Sequence, residues 1–207
     1  MSKAYIITGT DTGIGKTTVA AMLALALDGL YWKPIQSGTD DGTDRRRVQT
    51  LTQFPDDRLL AERYVLSQPL SPHRAAELDG VGIQSEALAL PASERTLIIE
   101  GAGGLMVPIT RSKLQIDVFA DWDLPVVLCA RTGLGTINHT LLSIEALRGR
   151  HMRLHGLIFV GDDNPDNMRT IAEFSGARIL GRLPRLDRID RAVLADAFAR
   201  GFSREDF

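Results

Sequence analysis

Gly9-Thr10-Asp11-Thr12-Gly13-Ile14-Gly15-Lys16-Thr17 is the stretch that decides the fold. The run before it, Tyr5-Ile6-Ile7, is apolar and reads as a buried parallel strand. Residues 18–27 after it, Thr-Val-Ala-Ala-Met-Leu-Ala-Leu-Ala-Leu, are mostly good helix formers and contain neither Gly nor Pro. Strand, glycine-rich loop, Gly-Lys-Thr and helix, in that order, form the setting of a phosphate-binding loop. Glycines let the backbone curl until several N–H groups face one anion, and the helix N-terminus adds its dipole. In such a loop Lys16 reaches the β- and γ-phosphates and the Thr17 hydroxyl sits on Mg²⁺. The spacing departs from the general pattern, because five residues separate Gly9 from Gly15 and Thr10 stands where a first glycine is usual.

Working outward, short apolar runs recur at residues 4–8, 29–33, 96–100, 126–130, 156–160 and 178–181, with helix-length segments between most of them. That alternation predicts an α/β fold of the P-loop NTPase type. It is a three-layer sandwich, with a mostly parallel sheet carrying helices on both faces. No repeat, low-complexity tract or linker interrupts it, so residues 1–207 are expected to form one domain. A hydrophobic share of 44% and a net charge of −2 fit a globular protein with no electrostatic footprint for nucleic acid or an anionic membrane. Cys129 is the single cysteine, which rules out an internal disulfide and fits a reducing compartment. The chain shows neither a signal-peptide pattern nor a bilayer-length apolar run, and a cytoplasmic location is the expectation.

Ligands of such sheets gather at the carboxyl ends of the strands, and residues with chemical potential cluster there. The second run ends in Lys33-Pro34-Ile35-Gln36-Ser37-Gly38, which places a lysine beside the phosphate loop. Thr43 or Asp44 caps the following helix. Arg45, Arg46 and Arg47 read most simply as a solvated helix face, the alternative being that one of them helps hold phosphate. Ser71-Pro72-His73 reads as a helix start, and short helices are expected near residues 74–78 and 84–90. The third run ends in Glu100, followed by Gly101-Ala102-Gly103-Gly104. A carboxylate there organises Mg²⁺, and the glycines let backbone approach a nucleotide. After the fourth run, Arg131-Thr132-Gly133-Leu134-Gly135-Thr136 opens a helix whose Ile137, Leu141, Ile144 and Arg148 share a face. Its free N–H groups could bind an anion, or its apolar face could be plain core. A last helix is expected over residues 188–200, and Pro184 and Leu186 offer apolar contact to a base.

Together these pieces resemble the dethiobiotin synthetase family over nearly the whole chain. The resemblance is carried by Gly9-Thr10-Asp11-Thr12 with Gly15-Lys16-Thr17, by Lys33-Pro34 with Ser37-Gly38, and by Asp44. Ser71-Pro72-His73, Glu100-Gly101-Ala102-Gly103-Gly104 and Leu134-Gly135-Thr136-Ile137-Asn138-His139 complete it. The long loop spacing is that family's own. The resemblance implies that ATP, CO2 or bicarbonate, and 7,8-diaminopelargonate give dethiobiotin, ADP and phosphate, with Mg²⁺ as cofactor. It also implies a homodimer with the substrate site at the subunit interface. By the family's pattern Gly13, Ile14, Gly15, Lys16, Thr17 and Thr18 hold the nucleotide, with Asp44, Glu100, Gly101, Ala102, Gly103, Leu183, Pro184 and Arg185. Thr17, Asp44 and Glu100 organise the metal. Thr12, Lys33 and Ser37 face the diamine, whose carboxylate is bound by Leu134, Gly135, Thr136, Ile137 and Asn138 of the neighbouring subunit. The resemblance implies that Lys33 and Lys16 are the catalytic residues. Two positions depart from the pattern: Gly13 stands where many members carry an acid, and Gly161 where many carry an adenine-reading asparagine. The loop's Thr10-Asp11-Thr12 also lacks the additional lysine of partition-type ATPase switches, the rival reading on this architecture.

Overall fold

A computed structural model describes residues 3–207. In chain order the first half holds β1 (Ala4–Gly9), α1 (Lys16–Ala26), β2 (Leu30–Trp32), β3 (Ile35–Ser37), α2 (Asp44–Thr52), β4 (Leu59–Leu60), β5 (Tyr64–Leu66) and α3 (Pro72–Leu78). The second half holds β6 (Leu97–Glu100), α4 (Gln115–Trp122), β7 (Val126–Arg131), α5 (Thr136–Arg148), β8 (Leu154–Val160), α6 (Pro165–Ser175), β9 (Ile179–Leu183) and α7 (Arg191–Gly201). The expected parallel sheet forms with seven strands in the order β4-β2-β6-β1-β7-β8-β9. Every pairing in it is parallel.

Side chains alternate across this sheet and build two cores. Tyr5, Ile7, Val127, Cys129 and Ile158 face α1 and α7. Ile6, Val126, Leu128, Leu157 and Phe159 face the opposite way, onto α4, α5 and α6. Burial on both faces is why these strands read as unbroken apolar runs. A smaller parallel pair, β3 with β5, packs with α3 and Ile109 into a separate lobe beyond the end of β2. Among the described residues no helix is long and apolar enough to cross a membrane.

Register brings the site together. Ile7 lies opposite Glu100 and Trp32 opposite Ile99, so the glycine loop, Glu100 and Lys33 leave the sheet at one height. The chain runs from β1 outward to β2 and β4, returns through β6, and then crosses to β7 on the other side of β1. That reversal opens the crevice in which ligands of doubly wound sheets bind.

Several local expectations are corrected. Residues 84–90 form only a 3₁₀ turn at Ser85–Leu88. Pro91 forces the chain before it toward extended geometry, and Leu88 alone anchors the segment. The buried stripe of α5 is Thr136, Thr140, Ile144 and Leu147. Leu141 lies off that stripe and Arg148 is exposed, since a guanidinium does not fill an apolar core. Thr43 is the cap of α2, its side chain accepting the Arg46 N–H at 3.3 Å, and Asp44 is the first helical residue. Ser71 precedes α3 without a side-chain cap bond, and α7 begins at Arg191 behind the cap Asp190 rather than at residue 188. The last strand runs to Leu183, beyond the expected end at residue 181. The short strands β3, β4 and β5 are not foreseen from the sequence, whereas α4 and α6 fill two of the helix-length segments between the apolar runs.

Cys129 is fully buried beneath the glycine loop, and burial pushes its thiol up to about 12. A native thiol of that kind is inert, because the thiolate is the nucleophile. We expect no iodoacetamide adduct by intact mass at about pH 8 until the chain is unfolded. Labelling of the native protein at the rate of a free thiol would contradict this packing.

Candidate active site

The loop after β1 is shaped by local sterics. Gly15 sits at the N-cap of α1 with φ of 94°, and a Cβ there would lie 3.0 Å from Val160 Cγ1, so only glycine fits. Lys16, 6% exposed, folds back to donate from Nζ to the Asp11 carbonyl at 2.7 Å. Burial lowers the Lys16 ammonium below the ordinary lysine value, and Glu100 partly offsets the shift. Arg131, at the end of β7, donates from Nη2 to the Thr12 carbonyl at 3.0 Å and closes the outer side of the loop.

Beside the loop lies a buried ionic cluster. Lys33, the residue after β2, donates its ammonium to Asp44 Oδ2 and, at 3.2 Å, to Glu100 Oε1. The Thr17 hydroxyl stands 2.8 Å from Glu100 Oε1 and 3.1 Å from Asp44 Oδ1. Behind them Tyr31 Oη, wholly buried, donates to Glu100 Oε2 at 2.8 Å. Burial works against charge on Lys33, but Glu100 and Asp44 outweigh it and hold the ammonium above its usual value. Burial, then the Glu100 charge, drives the Tyr31 phenol well above its ordinary value, so it stays a neutral donor. Two carboxylates and a hydroxyl, converging from β6, α2 and α1, are the hard oxygen donors that suit Mg²⁺. Among the described residues no group of three or more His, Cys, Asp or Glu forms a metal cage.

Two cavities meet at this cluster, and a third adjoins the first at Gly13 and Gly15. The first, about 350 Å³, is walled by Gly13, Gly15, Lys16, Thr17 and Thr18 with Glu100, and also by Arg47. The second, about 450 Å³, runs from Ser37 and Ala102 past Val107 to Pro69, Leu70, Ser71 and Pro72. Thr12, Lys33, Asp44 and Gly103 line both. The third, about 440 Å³, leads from Gly13, Ile14 and Gly15 past Arg131, Thr132 and Gly161 to Arg185. The Ser37 hydroxyl is buried and has no hydrogen-bond partner among the described residues, as is the case for His73 Nδ1.

The remaining site residues fall elsewhere. Gly101 is tied down by its N–H to the Ile7 carbonyl at 3.0 Å and is packed against Phe119 and Gln115. The Leu183 side chain points into the core and lines none of the three cavities, and Pro184 joins Leu186 in a separate groove. Leu134, Gly135, Ile137 and Asn138 line none of the three cavities within one chain. The Thr136 hydroxyl is committed to the Arg131 carbonyl at 2.5 Å, and Leu134 is fully exposed. Of the three consecutive arginines, Arg45 is bound to the Leu59 carbonyl at 3.0 Å, and Arg47 is the one that reaches the first cavity.

A family model described as an AAA domain matches residues 3–193. An ATP-dependent dethiobiotin synthetase from Rhodopseudomonas palustris strain TIE-1 is 59% identical over 207 residues, covering 100% of this chain and 98% of the relative. One from Nitrobacter hamburgensis is 54% identical with the same coverage. A third, from Novosphingobium aromaticivorans, is 55% identical over 99% of this chain and 98% of its own. Among solved structures, a plasmid partition protein from Borrelia burgdorferi superposes with a TM-score of 0.57 at 12% identity, over 96% of both chains. The septum site-determining protein MinD from Pyrococcus horikoshii gives 0.55 at 13%, over 95% of this chain and 86% of that one. These two likenesses speak to the fold alone.

Four residues that brace the site give no sign of it in the sequence. Gln115 accepts the Ala102 N–H at 2.6 Å and donates to the Gly104 carbonyl at 3.1 Å, pinning the glycine-rich loop from α4. Gln36 accepts the Asp44 N–H at 3.1 Å and donates to the Gly38 carbonyl at 2.9 Å. Arg131 and Tyr31 are the others, and a tyrosine inside an apolar strand does not advertise its polar duty. Tyr31→Phe leaves a buried carboxylate oxygen without its donor. We expect a loss of about 1–3 kcal/mol in denaturant unfolding with an unchanged slope. A midpoint equal to wild type would remove Tyr31 from this bracing role.

Proposed function

This chain belongs to the ATP-dependent dethiobiotin synthetase family, and from that premise we propose how its residues carry the reaction. It closes the cyclic urea of dethiobiotin from 7,8-diaminopelargonate and CO2 at the expense of ATP. The observation that carries the assignment of residues is the common wall of the first two cavities, formed by Thr12, Lys33, Asp44 and Gly103. A triphosphate cradled by the glycine loop therefore ends where the second cavity begins.

The second cavity suits the diamine. Pro69, Leu70, Pro72 and Val107 offer an apolar passage for its alkyl chain, and Thr12, Lys33 and Ser37 give the polar end. The unpartnered Ser37 hydroxyl is the feature that most favours a ligand there, since a buried hydroxyl without a hydrogen bond is costly.

One amine of the diamine adds to CO2 and loses a proton, giving a carbamate. A carbamate oxygen then attacks the γ-phosphorus, the bond from phosphorus to the β,γ-bridging oxygen breaks, and ADP leaves. The second amine attacks the carbamoyl carbon, the carbon–oxygen bond breaks, and phosphate departs with that oxygen as the amine loses its proton. Carbamate and triphosphate repel each other, so their meeting needs fixed positive charge in a water-poor site. Lys33 sits between the two groups and Lys16 reaches the phosphates, holding them in line. Thr17, Asp44 and Glu100 would hold Mg²⁺, which when bound neutralises phosphate charge. Gly13, Ile14, Gly15 and Thr18, with the backbone of residues 101–103, cradle the nucleotide. Its base extends toward Arg185, Leu183 and Pro184.

The working unit we infer is a homodimer of one-domain chains in the cytoplasm, with no nucleic acid or membrane partner. In it the helix start at Leu134, Gly135, Thr136, Ile137 and Asn138 binds the diamine carboxylate of the neighbouring subunit. Fully exposed Leu134 before α5 and 61% exposed Leu142 on it support a covered face there.

ADP release should require diamine, bicarbonate and Mg²⁺ together. Vigorous ATP turnover without the diamine would favour a regulatory switch instead. Lys33→Ala should cut turnover at least about a hundredfold, the scale of one lost transition-state charge contact. Near-normal turnover in that variant would take Lys33 out of catalysis. Mixing Lys16→Ala chains with chains blocked at the α5 start should restore part of the activity. No restoration in verified mixed dimers would mean that each subunit works alone.

A further inference from the structure

Arg47 is the one charged residue of the phosphate cavity that neither the loop motif nor the ionic cluster uses. It lies one helical turn beyond Asp44 on α2, so both project from the same side of that helix. Its neighbour Arg45 turns away to the Leu59 carbonyl and to Asp56, and Arg46 is not part of the phosphate-cavity wall. The Arg47 guanidinium is exposed and, among the described residues, has neither an ion pair nor a hydrogen bond.

The charge balance of the cavity gives Arg47 its significance. Lys16 and Lys33 are matched there by Asp44 and Glu100, so Arg47 alone makes the wall net positive. A metal-bound triphosphate is still an anion, and during phosphoryl transfer charge spreads over the equatorial oxygens of the moving group. A guanidinium is suited to such oxygens because its planar fork presents several donors at once.

We propose that Arg47 is a triphosphate-binding residue, closing the α2 side of the nucleotide and supplying the cavity's excess positive charge. This rests on the nucleotide site assigned above. Because it acts through phosphate charge, its contribution falls from triphosphate to diphosphate and vanishes for the monophosphate.

Calorimetric titration of β,γ-imido-ATP, ADP and AMP, each with Mg²⁺ and at two salt concentrations, tests the proposal on four proteins. These are wild type, Arg47→Gln, Arg47→Lys and, as the neighbouring control, Arg46→Gln. Arg47→Gln should weaken imido-ATP about tenfold, the lower end for a charge-assisted hydrogen bond. It should weaken ADP less and AMP by under about twofold, and flatten the salt dependence of imido-ATP binding. Arg47→Lys should recover part of the affinity, and Arg46→Gln should match wild type. Imido-ATP binding within about twofold of wild type in Arg47→Gln, or an equal loss for AMP, would overturn the role of Arg47. If wild type bound imido-ATP no better than AMP, the underlying nucleotide site would fall instead.

Discussion

A lysine ammonium buried between two carboxylates fixes the geometry on which the rest depends. Lys33 follows β2, Asp44 opens α2 and Glu100 ends β6, so the cluster ties three separate elements together at one height. Its strength lies in being complete. Each buried charge has an opposite partner, and the second oxygen of Glu100 takes a phenol from behind, whereas removing one member would strand the others in a poorly solvating interior. A site built for stability alone would be better served by apolar side chains. This one keeps charge at the boundary of two cavities, where the proposed reaction brings anionic groups together.

Topology then decides what that charge can act on. The glycine loop and the β6 loop are neighbours because β1 and β6 pair directly, and the lobe of β3, β5 and α3 walls off a second chamber beyond Lys33. The two chambers share a boundary at that lysine, which suits a reaction in which one oxygen is handed from a carbon to a phosphorus. The same sheet supports unrelated duties in other proteins, so it is this second chamber that argues for ring closure.

Much of the architecture is written locally. The glycine loop and its flanks state their own structure, and Glu100 before three glycines in four residues signals a strand end facing phosphate. Lys33 gives a weaker sign, since a lysine after a strand is usually a solvated edge, and only the register with β6 buries it. What stays hidden depends on distance along the chain. Tyr31 reads as one more apolar strand position until Glu100 is brought against it from 69 residues away. Gln115 reads as an ordinary helix start until its amide meets the glycine loop. On α5 the apolar Ile137 and Leu141 suggest a stripe one position away from the true one, yet Thr136 and Thr140 satisfy their hydroxyls locally and can be buried. Arg47 is indistinguishable from Arg45 and Arg46 in sequence, and the turn of α2 separates them.

One transfer across the boundary at Lys33, from carbamate oxygen to γ-phosphorus, underlies the whole assignment of residues. The most direct test supplies freshly dissolved CO2 carrying ¹⁸O in both positions, with diamine, ATP and Mg²⁺, and reads the isotope shift of the released phosphate by ³¹P NMR before exchange with water. Transfer through the carbamate places a single heavy oxygen in that phosphate and leaves the other in the urea carbonyl of dethiobiotin. Phosphate free of the label, formed alongside labelled dethiobiotin, would mean that no oxygen passes between the two chambers and would contradict the mechanism.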